Sequence, residues 1–181
     1  MANYTKCRVM FEDEGRFGCI NEPRRCWAPG GVRPAVPSQM IREYTYGYAA
    51  VSPLDGVMDS FIFPRADTIC MSLFLQEIAA LHCDEYIIMF LDKAGWHCSH
   101  DLQVPSNMLL TNLPPHSPNL NPTEHIWDEV REKWFRNALF SDLDQVDDTL
   151  LMAFRALEND TKTVASITGF HWIISSILNA N

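Results

Sequence analysis

The run Tyr86-Ile87-Ile88-Met89-Phe90-Leu91 is apolar at every position and stops at Asp92. A strand at a sheet edge, or one with a wet face, would alternate with polar residues, so this run fits a central strand of a parallel or mixed sheet. The rest of the chain must then supply neighbouring strands and covering helices. It does so in order.

Arg8 to Glu12 reads as a strand ending in Glu12-Asp13-Glu14, with Gly15 and Gly18 allowing a tight reversal into Phe17 to Ile20. Tyr44 to Val51 and Val57 to Phe63 are further strand-like runs, joined by the turn Ser52-Pro53-Leu54-Asp55-Gly56. From Asp67, a fitting N-cap, Ile69, Leu73, Leu75, Ile78, Ala79 and Leu81 recur at helical spacing. A short segment after His97 reads as helical and Met108 to Thr111 as a strand, followed by a proline-rich loop from Leu113 to Pro122. Asn121-Pro122-Thr123-Glu124 then opens a helix to about Asn137, with Asn at the cap, Pro at the first position and Glu at the third. Helices over Leu143 to Leu157 and Thr161 to Leu178 close the chain. The expected class is α/β, a mixed five-stranded sheet flanked by helices.

At 181 residues, with 47% hydrophobic and 20% charged residues and no internal repeat or linker, one domain spanning 1–181 is expected and disorder is excluded. No apolar stretch approaches the roughly 20 residues of a membrane span, and the N-terminus lacks a signal-peptide core, so a soluble cytoplasmic protein without a membrane partner is expected. The six cysteines are scattered singly, which favours reduced thiols.

The net charge of −9 speaks against duplex DNA as a partner, yet its distribution is uneven. Arg16, Arg24, Arg25, Arg33 and Arg42 face a single acid, Glu22, between positions 16 and 42. Prolines at 23, 29, 34 and 37 and the Gly30-Gly31 pair make the centre of that stretch a turn-rich basic arm, a candidate contact surface.

Asp13 and Asp92 each terminate an apolar strand, and the crevice beyond such strand ends is where open sheets bind ligands. Glu124 lies on the first turn of a helix. Three converging carboxylates would suit Mg2+ or Mn2+, which prefer oxygen. On the residues alone, Asp13 is equally readable as a turn residue and Glu124 as the reciprocal partner of Asn121 in a capping box. Asp92, directly after six apolar residues, is the hardest to assign to packing.

FEDEGRFG (Phe11 to Gly18), RRCWAPGGVRP (Arg24 to Pro34), FLDKAGWH (Phe90 to His97) and LPPHSPNLNPTEHIW (Leu113 to Trp127) resemble, in succession, the signature blocks of bacterial insertion-sequence transposases related to mariner elements. These are DDE-superfamily endonucleases with an RNase H-like catalytic domain. The resemblance implies catalytic, metal-binding carboxylates at Asp13, Asp92 and Glu124, 79 and 32 residues apart. It implies two Mg2+ (or Mn2+) ions, with Asp13 bridging both and Asp92 and Glu124 binding one each, for in-line phosphoryl transfer. Glu14, His97 and Asn121 match supporting motif positions around these ligands, and Arg24, Arg25 and Arg33 fall in the arm expected to touch DNA.

The implied activity is metal-dependent DNA strand cleavage and strand transfer in cut-and-paste transposition. The implied partners are double-stranded DNA at transposon ends and target, a second copy of the chain in the active complex, and a separate DNA-binding subunit. Full-length relatives carry N-terminal helix-turn-helix domains that are not expected in this chain, and Gly30 stands where they often have a basic residue. The competing readings are another RNase H-like nuclease and a non-catalytic DNA-binding remnant. A zinc site from Cys83, His97, Cys98 and His100 matches no established spacing, and Trp127, Val130, Trp134 and Phe135 read as a core-facing stripe.

Overall fold

The computed structural model describes residues 4–20, 27–36, 38–115 and 117–179. Five strands form one sheet in the order β3-β2-β1-β4-β5. They are β1 (Lys6–Ile20), β2 (Met40–Ser52), β3 (Val57–Phe63), β4 (Glu85–Leu91) and β5 (Met108–Asn112). The first three form an antiparallel meander, and β4 and β5 add in parallel on the other side of β1. The sheet is therefore mixed, and the apolar run of β4 occupies an interior position between β1 and β5.

The helices are α1 (Thr68–Leu81), α2 (Glu124–Lys133), α3 (Leu143–Glu158), α4 (Thr161–Thr168) and α5 (His171–Asn179). On one sheet face, Met10, Tyr48, Ile87, Met89 and Leu91 pack with Met71, Phe74, Leu75 and Ile78 of α1. On the other, Phe11, Phe17, Ala49 and Val51 pack with Ile126, Trp127, Val130, Leu150, Phe154 and Ile173 of α2, α3 and α5. Successive residues of a strand point to opposite faces, so β1 and β4 feed both cores at once. The Trp127, Val130, Trp134 and Phe135 stripe faces the second of these cores, as expected.

Four features depart from the sequence reading. β1 is one continuous strand of 15 residues, without reversal at Gly15 or Gly18. These glycines answer to packing: a Cβ on Gly15 would lie 2.8 Å from the Trp127 ring, and one on Gly18 would lie 2.2 Å from the Glu43 carbonyl oxygen across the ladder. The segment after His97 forms turns, not a helix. α2 ends at Lys133, before the left-handed Asn137 (φ 53°). The C-terminal helical stretch breaks into α4 and α5 at Gly169, where a Cβ would stand 2.4 Å from the Ala165 carbonyl oxygen.

Asp67 caps α1 as anticipated, its side chain accepting from Cys70 N, and in the anticipated turn between β2 and β3 Gly56 takes a positive φ of 71°. Among the described residues no helix is long and apolar enough to cross a membrane.

Candidate active site

Parallel pairing of β1 with β4 runs from Lys6 opposite Glu85 to Phe11 opposite Phe90, whose rings stack with centroids 5.1 Å apart. Asp13 and Asp92 both lie two residues beyond that last pair. Register alone thus brings the two carboxylates to the same end of neighbouring strands, on the face occupied by α2.

Glu124 arrives through the loop after β5. Asn121 Nδ2 donates to the carbonyl of Glu12 (2.8 Å), Asn121 Oδ1 accepts from Thr123 N (3.2 Å), and Thr123 Oγ1 donates to the carbonyl of Phe11 (2.8 Å). Both side chains are buried. The two bonds to β1 fasten the start of α2 beside Asp13, and Glu124 is the first residue of that helix. The expected capping box is not formed: Thr123, directly before the helix, is itself in helical conformation, and its side chain makes no cap bond. Asn121 Oδ1 is taken by Thr123 N and Asn121 N by the Pro118 carbonyl, which accounts for the difference.

Asp13, Asp92 and Glu124 line one cleft of about 390 Å³, together with Lys93, Asn121 and the loop residues Leu113, Pro114, Pro115, Ser117 and Pro118. Burial pushes the Asp13 carboxyl up to about 8, and Glu124 adds to this. The indole Nε1 of Trp127, donating to Asp13 Oδ2 at 2.7 Å, opposes the shift, while Glu14 and Asp92 reinforce it. Carboxylates that raise one another's affinity for a proton are equally suited to a divalent cation, because either ligand relieves the repulsion. The donors in the cleft are oxygens, the set that Mg2+ and Mn2+ prefer.

Asp92 is the exposed member, with its side chain 60% accessible. Its Oδ1 accepts from Ala94 N (2.8 Å) and lies 2.9 Å from His97 Nδ1. His97 is buried, and its Nε2 lies 3.0 Å from Glu14 Oε1, which also accepts from Trp96 Nε1 at 2.7 Å. Burial by itself would lower the His97 pKa, but Glu14 and Asp92 hold it above the ordinary value. An imidazole clamped between two carboxylates fixes the Asp92 side chain relative to β1.

The arm is described from Trp27 onward. Arg33 is exposed in it, whereas Arg24 and Arg25 lie outside the described residues. The zinc grouping does not assemble: Cys83 and Cys98 are exposed, and the metal-competent group of three among the described residues is Glu12, Glu14 and His97. Sequence reasoning did not find Trp127 or Thr123 as positioning residues. An indole N–H bond leaves no mark on an apolar stripe, and Thr123 sits in a motif where attention falls on Asn121 and Glu124.

Residues 8–147 match the family model of the DDE superfamily endonucleases. An uncharacterized protein of Sinorhizobium fredii, y4pE/y4sA, is 35% identical over 130 residues, covering 71% of this chain and 96% of that protein. Among solved structures, the Mos1 mariner paired end complex with Mn aligns over 93% of this chain and 55% of the Mos1 chain, with a TM-score of 0.63 at 14% identity. A pre-cleavage Mos1 transpososome aligns over 91% and 56%, with a TM-score of 0.62 at 13% identity. The chain therefore spans about half the length of the Mos1 chains it matches. At this identity the likeness is one of fold, the RNase H-like fold of transposase and integrase catalytic domains.

Proposed function

The chain belongs to the DDE superfamily endonucleases, and we propose that its acidic cleft cuts DNA strands and transfers them in cut-and-paste transposition. The observation that supports this reading most directly is the convergence of Asp13, Asp92 and Glu124 on one cleft at the ends of β1, β4 and the start of α2. We assign all three as the residues that would hold divalent metal, two Mg2+ or Mn2+ ions. Metal bound there would activate a water or a 3′-hydroxyl as nucleophile and stabilise the leaving oxygen of the phosphodiester.

The remaining tasks fall to the chain. Trp127 holds the Asp13 carboxylate in one orientation through its indole N–H. Asn121 and Thr123 fix Glu124 against β1, and Glu14 and His97 hold Asp92. Such outer partners set ligand geometry, and their loss typically weakens metal sites about 10- to 100-fold. Lys93 also lines the cleft and is a cation suited to a phosphate.

DNA would be held mainly by phosphate contacts from the arm, through Arg24, Arg25 and Arg33, because the net charge of −9 offers little general attraction. We assign duplex DNA as substrate, a homodimer as the unit that joins two ends, a separate DNA-binding subunit as the reader of end sequence, and the bacterial cytoplasm as the place of action. The test is strand cleavage of duplexes carrying the terminal repeats of the encoding element. Cleavage with Mg2+ or Mn2+ and none in chelator is expected; cleavage indifferent to chelator would overturn the metal assignment, and binding without cleavage would favour a non-catalytic remnant.

A further inference from the structure

Glu12 points to the face of β1 opposite Asp13. It is fully buried, and neither of its carboxylate oxygens has a hydrogen-bond partner. A buried ionised carboxylate is strongly penalised unless an opposite charge or a metal compensates it. The groups that face it are Glu14 and His97. His97 Nε2 lies 3.7 Å from Glu12 Oε2 and 3.0 Å from Glu14 Oε1, and one ligand atom from each residue falls within 4.8 Å of the other two.

The histidine is oriented for this. Its Nδ1 lies 2.9 Å from Asp92 Oδ1 and 3.1 Å from the Asp92 carbonyl oxygen, so a proton on Nδ1 leaves the Nε2 lone pair aimed at Glu12 and Glu14. A carboxylate behind an imidazole, with the far nitrogen free to coordinate, is the usual outer partner of a metal-bound histidine. Trp96 Nε1 in turn fixes Glu14 Oε1 at 2.7 Å. Two carboxylates and one imidazole suit first-row divalent ions, whereas Mg2+ and Ca2+ favour oxygen alone. Metal–ligand bonds of about 2.0–2.2 Å place neighbouring donors roughly 3–4 Å apart, the spacing found between His97 and each glutamate.

We propose that Glu12, Glu14 and His97 form a second metal site, separate from the acidic cleft, that takes one Mn2+ or Zn2+ ion through a carboxylate of each glutamate and Nε2 of His97. The ion neutralises the buried carboxylates and ties β1 to the segment that carries Asp92. The site does not depend on the function assigned to the cleft.

The test uses the 181-residue chain as an Asp13→Asn/Glu124→Gln variant, stripped with chelator and titrated with Mn2+ alone, so that two cleft ligands are removed. One tightly bound Mn2+ per chain is expected, with 14N modulation in its electron spin-echo spectrum, because the cleft offers oxygens and His97 supplies nitrogen. The wild-type chain should show the same nitrogen-coupled ion in addition to those of the cleft. Adding Glu12→Gln should weaken the remaining site at least tenfold and remove the rise in melting temperature that Mn2+ produces. The proposal is overturned if the Asp13→Asn/Glu124→Gln variant binds no Mn2+, if the bound ion shows no nitrogen coupling in either protein, or if Glu12→Gln leaves the affinity unchanged.

Discussion

Trp127 and Asp13 show how much of the site depends on single contacts. Burial and the nearby Glu124 push the Asp13 carboxyl up to about 8 from an ordinary 3.8. Between these values the folded chain keeps a proton that the unfolded chain has released, so stability falls as pH rises. In chelator the melting temperature should therefore drop between about pH 4 and about pH 8, and Asp13→Asn should flatten that drop. Glu12, raised for the same main reason, contributes with the same sign. A melting temperature that climbs through this window would contradict the assignment. Trp127→Phe keeps most of the ring but loses the bond to Asp13 Oδ2, and should lower the cleavage rate about 10- to 100-fold while the fold persists on near-ultraviolet circular dichroism. Asp92 was legible because an acid directly after six apolar residues is out of place, whereas Asp13 and Glu124 were singled out only by the resemblance of their motifs to those of a family. Their holders were not, since an indole or a threonine hydroxyl looks the same in sequence whether or not it is bonded.

Among the elements, β1 departs furthest from its sequence. Gly15 and Gly18 look like turn residues inside KCRVMFEDEGRFGCI, yet both lie within an unbroken strand. The information that separates the two readings is tertiary: Trp127 comes from α2 and Glu43 from β2, more than twenty residues away in each case. Gly18→Ala would force its Cβ against the backbone of β2 and should cost about 1–3 kcal/mol, read by urea denaturation. Gly15→Ala meets the Trp127 and Phe17 rings, so it should couple a similar loss of stability to displacement of the indole from Asp13. A neutral result at Gly18 would contradict the close approach of the strands. By contrast β3, α1 and α3 were readable almost to the residue, because each announces itself locally: a Gly56 turn before β3, and acids at positions 67 and 142 whose side chains accept the first backbone N–H groups of α1 and α3. The break at Gly169 escaped because the apolar period continues on both sides of it.

For the whole molecule, charge and fold combine. A chain of net charge −9 proposed to act on DNA must concentrate its cations, and the sequence between β1 and β2 carries Arg24, Arg25 and Arg33 among its prolines and glycines. Neutralising all three should weaken duplex binding and flatten the log–log dependence on salt by up to about one unit for each phosphate that an arginine no longer neutralises. An unchanged slope would assign the arm another role. The parallel pairing of β1 with β4 sets Asp13 beside Asp92, and the anchoring of α2 through Asn121 and Thr123 required the assembled sheet.

The central claim is that Glu124 completes a metal site and is not a helix cap. The Glu124 side chain closes no capping box, so Glu124→Gln removes the charge a cation needs while leaving in place the Asn121 and Thr123 bonds that anchor the helix start. The measurement is Mg2+-dependent cleavage of terminal-repeat DNA by this variant, beside its melting temperature in chelator. Loss of cleavage with stability within about 0.5 kcal/mol of wild type is the expected result. Cleavage at the wild-type rate would contradict it.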